Sequence, residues 1–350
     1  MTRNTRSRYR TSIFCQILAW ISILPALAVA SEPYTTGCEI EAANIPGTIF
    51  RPYSHEKKMS GDPIIIAEAT KRLNQALLLF KETWPGQKGF NAEYERTVAK
   101  SLDTGKSPHP YHLWLRIWPN GCAHDYDHKA NKELDTGKIY LGNPADLTDP
   151  LSNEVLIAFN AVGKLAFEQA QMMVDGEARS VYQTKKVIGE WRGLRTYQAV
   201  EHPIVIVARP GESPFVSLTQ KQYLLALIDF YNKAYADPNI IGGDSARADN
   251  RKDFAAMQEY LRTTPEPTLN QPARIRATLG HWGGFSQDPK DYSEVLMANR
   301  SYFHQDVPKY IPQFIVLDWV RSYGSAVETR IARDFDANFP IEKLQAMLDK

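Results

Sequence analysis

Two cysteines constrain the fold of this chain more tightly than any other pair of residues. The sequence has three, and Cys15 lies in an N-terminal segment that we expect to be removed. Cys38 and Cys122 then remain, and two cysteines in an oxidising compartment most simply form one disulfide. That bond would bring together segments that are far apart in the sequence. The alternative is a pair of buried free thiols.

The first 30 residues indicate where the chain folds. Four arginines and no acidic residue precede the apolar run IFCQILAWISILPALAVA, which ends in Ala28-Val29-Ala30. Basic residues, an apolar run and an A-x-A sequence are typical of a cleaved secretory signal peptide. An uncleaved transmembrane helix is the alternative, because a run of about 18 residues just spans a bilayer. We predict cleavage before Ser31, a secreted or periplasmic protein, and no membrane span after cleavage.

The charge of the mature chain argues against a nucleic-acid partner. Removing those four arginines from the 41 basic residues leaves 37, against 40 acidic residues, a net charge of −3 with histidine neutral. Nucleic-acid-binding domains usually carry a clustered basic excess. The sequence also contains no Walker loop and no dinucleotide-binding glycine motif. We therefore predict no cofactor.

Hydrophobic spacing predicts at least two long helices. Apolar residues at helical spacing follow Pro63 and continue to about Thr83, and Asp62 is a suitable N-cap for that helix. The turn-rich segment RPGESPFVSL leads into the second helix. Thr219 and Gln222 have the spacing of a capping box at its start.

Alternating residues predict several strands. YHLWLRIW alternates as a strand does, and we expect GKIYLGN to be its partner. EVLIAFNAVGKLAF fits either a hairpin or a helix, and we predict the hairpin. HPIVIVAR continues the strand pattern.

Helices and strands are mixed in this chain without strict alternation, so we predict an α+β fold with a mixed or antiparallel sheet and packed helices. After the signal peptide at 1–30, residues 31–265 are predicted to form the main α+β domain. Residues 266–350 are predicted as a C-terminal strand and helix segment on the same core. The sequence TTPEPTLNQP, Thr263–Pro272, is the best candidate for a linker.

The stretch Gly121–Lys138, GCAHDYDHKANKELDTGK, holds the densest group of candidate site residues. The candidates are His124 and His128, as catalytic residues or metal ligands, and Asp127 as a metal ligand. In a strand the two histidines lie roughly 13 Å apart, too far for one ion, whereas in a helix they are one turn apart. Zinc needs three or four ligands, which this stretch does not obviously supply. We favour a polar connection between two strands, held by Cys122.

His281 is the third candidate catalytic residue. It lies in GHWGGF, a glycine-rich segment of the kind that can form an oxyanion loop. The sequence has no G-x-S-x-G nucleophile motif to accompany such a loop. We therefore favour a tight turn as the role of these glycines.

Tryptophans form a further candidate surface. Trp114, Trp118 and Arg116 share one side of the strand YHLWLRIW, and Trp282 follows His281. An exposed aromatic face of this kind stacks on sugar rings or contacts a protein partner. We expect instead that Trp114 and Trp118 pack beneath the helix that starts at Pro63, because a sheet face must be covered.

These observations predict an exported protein that binds a ligand or partner, or has a structural role, in the periplasm or outside the cell. The partner is a protein, a glycan or a small molecule. The absence of a motif is weak evidence, because convergent catalytic sites have no fixed sequence. The alternative is therefore an extracytoplasmic hydrolase with a histidine and aspartate site, with or without a metal. The sequence alone leaves open whether the chain is an enzyme.

Export should remove residues 1–30. Chain recovered from the periplasm or medium of a bacterial host should begin at Ser31, because signal peptidase cleaves after the A-x-A sequence. Intact-mass measurement checks this. An Ala30→Asp control should keep the N-terminal segment, and wild-type chain that still carries Met1 after export would contradict the prediction.

Overall fold

The computed structural model describes most of the chain in several segments. These are residues 37–52, 61–98, 109–127, 132–142, 153–161, 166–184, 186–199, 202–236, 244–286, 288, 293–320 and 324–350. The predicted signal peptide lies outside the described residues. Within them, no helix is both long enough and apolar enough to cross a membrane.

The described residues contain helices and strands in similar proportion. The helices are α1 (Gly37–Asn44), α2 (Pro63–Thr83), α3 (Gln220–Ala236), α4 (Asp244–Thr263), α5 (Glu266–Leu269), α6 (Ala326–Asn338) and α7 (Ile341–Gln345). The strands are β1 (Ile49–Pro52), β2 (Phe90–Val98), β3 (Tyr111–Pro119), β4 (Gly121–Asp127), β5 (Lys132–Tyr140), β6 (Asn153–Phe159), β7 (Ala166–Val174), β8 (Glu177–Thr184), β9 (Lys186–Trp191), β10 (Leu194–Ala199), β11 (His202–Val207), β12 (Phe215–Ser217), β13 (Arg274–Ile275), β14 (Ser293–Ala298) and β15 (Ile315–Trp319).

The described strands form three sheets. The first has eight strands in the order β1-β2-β3-β6-β15-β11-β10-β9. The second has five, with β12, β14, β8 and β7 side by side and β13 beside β14. The third is the pair β4 and β5. Paired strands are antiparallel except β1 and β2, which are parallel. The predicted α+β class is confirmed.

Three central strands of the eight-stranded sheet are apolar on both faces. On β6, Leu156 and Ala158 belong to one core, whereas Val155, Ile157 and Phe159 belong to another. Residues of β11 and β15 alternate between the same two cores. A strand that is buried on both faces is almost entirely apolar, which explains the runs IVIV in β11 and IVL in β15.

Each face of the eight-stranded sheet packs against a different layer. One face contacts α2, α6 and α7, which contribute Leu73, Phe335 and Leu344 to the core. The other face packs against the five-stranded sheet, from which Tyr182 and Leu296 enter a shared core. The far face of the five-stranded sheet is covered by α3, α4 and α5. The layers therefore run in the order helices, sheet, sheet, helices.

The limits predicted for α2 match the structure. The Asp62 side chain accepts a hydrogen bond from the backbone N–H of Ile64 at 2.8 Å, as an N-cap does. The face of β3 toward α2 consists of four fully buried residues, Tyr111, Leu113, Leu115 and Ile117. The expectation that Trp114 and Trp118 pack beneath α2 is wrong, because they alternate with this row. Trp114 is instead partly buried and packs against the core between the two sheets.

Two strand pairings predicted from neighbouring segments are wrong. GKIYLGN begins in β5, which pairs with β4, whereas β3 pairs with β2 and β6. The segment EVLIAFNAVGKLAF contains β6 and the start of β7, but they form no hairpin. β6 pairs with β3 and β15 in the first sheet, and β7 pairs with β8 in the second. The chain changes sheets between them, which local sequence does not indicate.

Residues 266–350 contribute strands to both large sheets. β15 lies between β6 and β11 in the first, and β14 lies between β12 and β8 in the second. Thr263–Pro272 is not an open linker, because it contains α5, and Leu269 is buried in the same core as α3. Helix α6, which the sequence reading missed, starts with a capping box between Ser325 and Glu328.

The predicted disulfide between Cys38 and Cys122 is present. Their Cα atoms are 6.1 Å apart, and the bond joins α1 to β4 across 84 residues of sequence. Both cysteines are buried and pack against Ala42. The Asn120 side chain donates from Nδ2 to the Ala42 carbonyl at 3.3 Å and accepts from the backbone N–H of Gly142 at 3.1 Å. One covalent bond and one amide side chain thus fix α1 beside the two-stranded sheet.

Removing the disulfide should lower the free energy of unfolding by about 4 kcal/mol, because the bond closes a long loop in the unfolded chain. Urea denaturation of Cys38→Ser/Cys122→Ser against the wild type measures this loss. Reductant should destabilise the wild type by a similar amount and leave the double variant unchanged. A loss below about 1 kcal/mol would contradict the predicted role of the bond.

Candidate functional site

A cavity of about 340 Å³ opens beside the core between the two large sheets. Its lining comes from β10, the end of β11, the loop that follows it, β12, β14 and α7. The lining residues that matter most for its chemistry are Arg195, Tyr197, Arg209, Glu212, Phe215 and Leu296. Residues from both sheets therefore meet in one wall.

The floor of the cavity is apolar. Tyr197, Phe215 and Leu296 are buried in the core that the two sheets share. Arg195 lies two residues before Tyr197 on β10, and residues two apart on a strand share a face. Arg195 therefore extends the same face from the apolar floor toward the polar edge of the cavity.

The loop between β11 and β12 forms another part of the wall. Gly211 has a φ of +76°, a left-handed conformation that glycine adopts without steric strain. The backbone N–H of Glu212 donates to the Arg209 carbonyl at 3.1 Å and closes the turn. Ser213 Oγ donates to the Phe215 carbonyl at 2.6 Å. The turn-rich sequence RPGESPF thus builds a compact loop held by its own hydrogen bonds.

Arg209 ties this loop to the C-terminal segment. Its Nε donates to Asp349 Oδ2 at 2.7 Å, and its Nη1 donates to Glu212 Oε2 at 2.9 Å. Both Nη atoms donate to the Tyr302 carbonyl, and the guanidinium stacks 3.9 Å from the centre of the Tyr302 ring. Burial acts to lower the pKa of Arg209, but the hydrogen bonds with Asp349 and Glu212 outweigh it and raise that pKa. Arg209 is therefore a charged structural link.

Arg195 forms an ion pair with Glu294, which joins the two sheets. Arg195 Nη2 lies 2.6 Å from Glu294 Oε1, and the Glu294 side chain is only 2% exposed. The backbone N–H of Glu294 donates to Thr184 Oγ1 at 3.0 Å. Across the strand pair, Arg274 on β13 stands opposite Glu294. A carboxylate this deeply buried requires a cationic partner, because an unpaired buried charge is strongly destabilising.

Each arginine in the cavity wall is already paired with a carboxylate. Among the described lining residues, the charged side chains are Arg195, Arg209 and Glu212. Arg195 is paired with Glu294, and Arg209 is paired with Glu212 and Asp349. An anionic ligand would have to displace a carboxylate from one of these arginines, and displacing Glu294 would leave a buried charge without its partner. A cationic ligand would have to compete with the arginines for the same carboxylates. A neutral ligand can form hydrogen bonds with the same groups while the pairs stay intact.

The metal-site candidates of the sequence lie outside this cavity. His124 and Asp127 lie on β4, but their side chains are outside the described part of the chain, and His128 is outside it entirely. β4 and β5 are antiparallel strands with His124 opposite Asp135, so the helical alternative for this stretch is wrong. The described residues contain no group of three or more His, Cys, Asp or Glu that could hold a metal ion. The roles of His124, His128 and Asp127 stay predictions.

His281 lies in a tight turn. Gly280 and Gly284 have φ values of +88° and +74°, and the His281 N–H donates to the Thr278 carbonyl at 3.1 Å. The His281 side chain is exposed and is not among the residues that line the cavity. Its catalytic role stays a prediction that the described geometry does not support.

The three tryptophans considered as a stacking surface are largely covered. Trp118 is buried. Trp114 is half-buried, and the Arg116 guanidinium stacks 3.9 Å from the centre of its ring. Trp282 is half-buried and packs edge-on against Phe285, with ring centres 5.4 Å apart. These three side chains therefore do not form one open aromatic platform.

The sequence reading missed Arg195, Arg209 and Glu294. They lie on separate elements, so no spacing in the sequence connects them. One signal was available, because Glu294 is the only charged residue within the apolar strand SEVLMA. A carboxylate in a buried strand indicates a cationic partner elsewhere in the fold, although it does not identify that partner.

Comparison of the chain with protein-family models, with curated proteins and with solved structures found no match.

Replacing Arg209 by glutamine should destabilise the chain by about 2 kcal/mol, because charge-assisted hydrogen bonds to two carboxylates and a carbonyl are lost. Urea denaturation measures the effect. Arg262→Gln is the matched control, since Arg262 also forms an ion pair with a glutamate three residues away but is 72% exposed. The control should change stability by less than about 0.5 kcal/mol. Equal effects of the two substitutions would contradict the structural role of Arg209.

Proposed function

We propose that this chain is an exported binding protein that holds a small, neutral, hydroxyl-rich ligand, such as a sugar, in the cavity between its two large sheets. The observation that carries the proposal is the charge pairing of the wall. Arg195 and Arg209 both line the cavity, and each is already paired with a carboxylate. An anionic ligand would compete with the carboxylates that already hold both arginines, whereas a neutral ligand can form hydrogen bonds with the same groups.

The size and lining of the cavity support a small ligand. Its volume of about 340 Å³ lies at the lower end of the range for small-molecule sites. Tyr197 and Phe215 supply aromatic surface, while Glu212 and Gln345 supply polar groups on the wall. A sugar ring combines an apolar face with hydroxyl groups around its edge, so both parts of this lining have a counterpart in the ligand.

The disulfide supports export. Disulfides persist in oxidising compartments and are rare in the cytosol. The Cys38–Cys122 bond and the N-terminal sequence with its A-x-A site point to the same location. We therefore assign the protein to the periplasm or the cell exterior.

The hydrolase role has less support than the binding role. Its candidate residues His124, Asp127 and His128 have no described side-chain geometry. The exposed His281 lies in a turn, and no described observation places a carboxylate beside it. The described contacts of Arg195 and Arg209 support the binding role, and no comparable contacts support the hydrolase.

Calorimetric titration of the mature chain with neutral hexoses, and with the uronate and amino-sugar counterpart of each, tests the ligand class. A neutral sugar should bind at least tenfold more tightly than either charged counterpart, because each charge must be accommodated beside paired groups. Failure of every neutral sugar to bind, or equal affinity for a charged counterpart, would overturn the proposed ligand.

A double variant tests the site. Arg195→Met/Glu294→Gln removes both charges of the ion pair, and it should weaken sugar binding about tenfold or more. The matched control is Arg300→Met/Glu177→Gln, which removes an exposed ion pair with the same 2.6 Å distance away from the cavity. Equal weakening by both double variants would place the sugar elsewhere.

A further inference from the structure

A second cavity, of about 400 Å³, lies between α2 and the C-terminal residues that include α7. It is on the side of the eight-stranded sheet that faces the helices. Its lining residues are Lys71, Arg72, Gln75, Leu79, Lys343, Ala346, Met347 and Lys350. Half of them have a positively charged side chain and none has an acidic one, so this cavity differs in charge from the first.

Arg72 is a fixed cation in this cavity. The residue is only 9% exposed. Its Nε and Nη2 donate to a main-chain carboxylate oxygen of Lys350, the last residue of the chain, at 3.1 and 2.7 Å, and its Nη1 donates to Glu68 Oε2 at 2.9 Å. The Tyr310 ring lies beneath the guanidinium, 5.0 Å away. These contacts hold the charge in place before any ligand arrives, so little side-chain entropy remains to be lost on binding.

Four cationic side chains around this cavity face three negative groups, Glu68, Glu82 and the main-chain carboxylate of Lys350, so the positive charge exceeds the negative charge by one. Glu68 pairs with Arg72, and Glu82 pairs with Lys343 at 2.6 Å. The hydrogen bond from Arg72, together with the nearby charge of Lys71, lowers the pKa of Glu68. The Glu68 carboxylate is therefore ionised and already paired with Arg72. Within the described residues, Lys71 and Lys350 are in no side-chain ion pair.

We propose that this second cavity binds a phosphate group. The ammonium groups of Lys71 and Lys350, beside the fixed guanidinium of Arg72, suit a phosphate group, because its several oxygens can accept hydrogen bonds from all of them, whereas a carboxylate has only two oxygens. The fixed guanidinium of Arg72 and the ammonium groups of Lys71 and Lys350 are the donors that phosphate oxygens accept from most strongly. Leu79 and Met347 provide apolar surface for the organic part of the ligand. This site is independent of the sugar-binding cavity.

Calorimetric titration with inorganic pyrophosphate at low ionic strength tests the site. One pyrophosphate should bind per chain, at least tenfold more tightly than acetate, and its affinity should fall as salt is added. Lys71→Gln/Lys350→Gln should weaken binding at least tenfold. Lys186→Gln/Lys252→Gln removes the same charge from exposed positions elsewhere and should change affinity by less than twofold.

The phosphate group could belong to a lipid headgroup or to a free phosphorylated molecule, and vesicle sedimentation distinguishes these two sources. Binding to phosphatidylglycerol vesicles that is lost in Lys71→Gln/Lys350→Gln assigns the site to a lipid headgroup. Pyrophosphate binding without vesicle binding assigns it to a free phosphorylated molecule. The proposal is overturned if neither probe binds, or if the control variant weakens binding as much as the cavity variant. Sugar binding in the first cavity should be unaffected by either substitution.

Discussion

Burial of both faces of β6, β11 and β15 is the constraint on which the rest of the structure depends. A single layer of helices would leave Leu156, Ile204 and Val316 in water, because they point away from the helix side of the sheet. Each large apolar side chain exposed in this way costs about 1.5–3 kcal/mol. The five-stranded sheet covers this face and then needs a covering of its own, which α3, α4 and α5 supply. The four-layer arrangement therefore follows from three strands that are apolar on both faces.

The layer between the sheets is apolar at its centre and becomes polar toward the cavity. Pairing Arg195, whose side chain is 45% exposed, with Glu294 there gains little net stability, because desolvation of the buried carboxylate offsets most of their attraction. The pair instead favours one alignment of the two large sheets, because sliding one sheet past the other would leave the buried Glu294 carboxylate without its partner. Arg209 likewise fixes the position of the loop between β11 and β12, because it donates hydrogen bonds to Tyr302 and Asp349. Both arginines therefore determine the shape of the cavity wall.

Features that depend on a few neighbouring residues could be predicted from the sequence. The N-cap Asp62 and the capping box of Thr219 and Gln222 are local, and both are present in the structure. The disulfide was predictable because only Cys38 and Cys122 remain once Cys15 is removed with the predicted signal peptide. The strand order was not, since the partners of β6 lie in β3 and β15, far away on both sides of the sequence. The candidate site depends on that order, because Arg195 and Glu294 meet only once both sheets have formed.

The depth of a charged side chain in this fold determines which ligand its surroundings can accept. Glu294 lies between two sheets, where an unpaired charge is strongly destabilising, so folding itself requires that it be neutralised. Lys71 and Lys350 lie at the surface, where long side chains keep their ammonium groups in water and no pairing is required. In the inner cavity each arginine is therefore already paired with a carboxylate, while the outer cavity keeps an excess of positive charge. Two ligands of different charge can consequently occupy one chain without competing for the same groups.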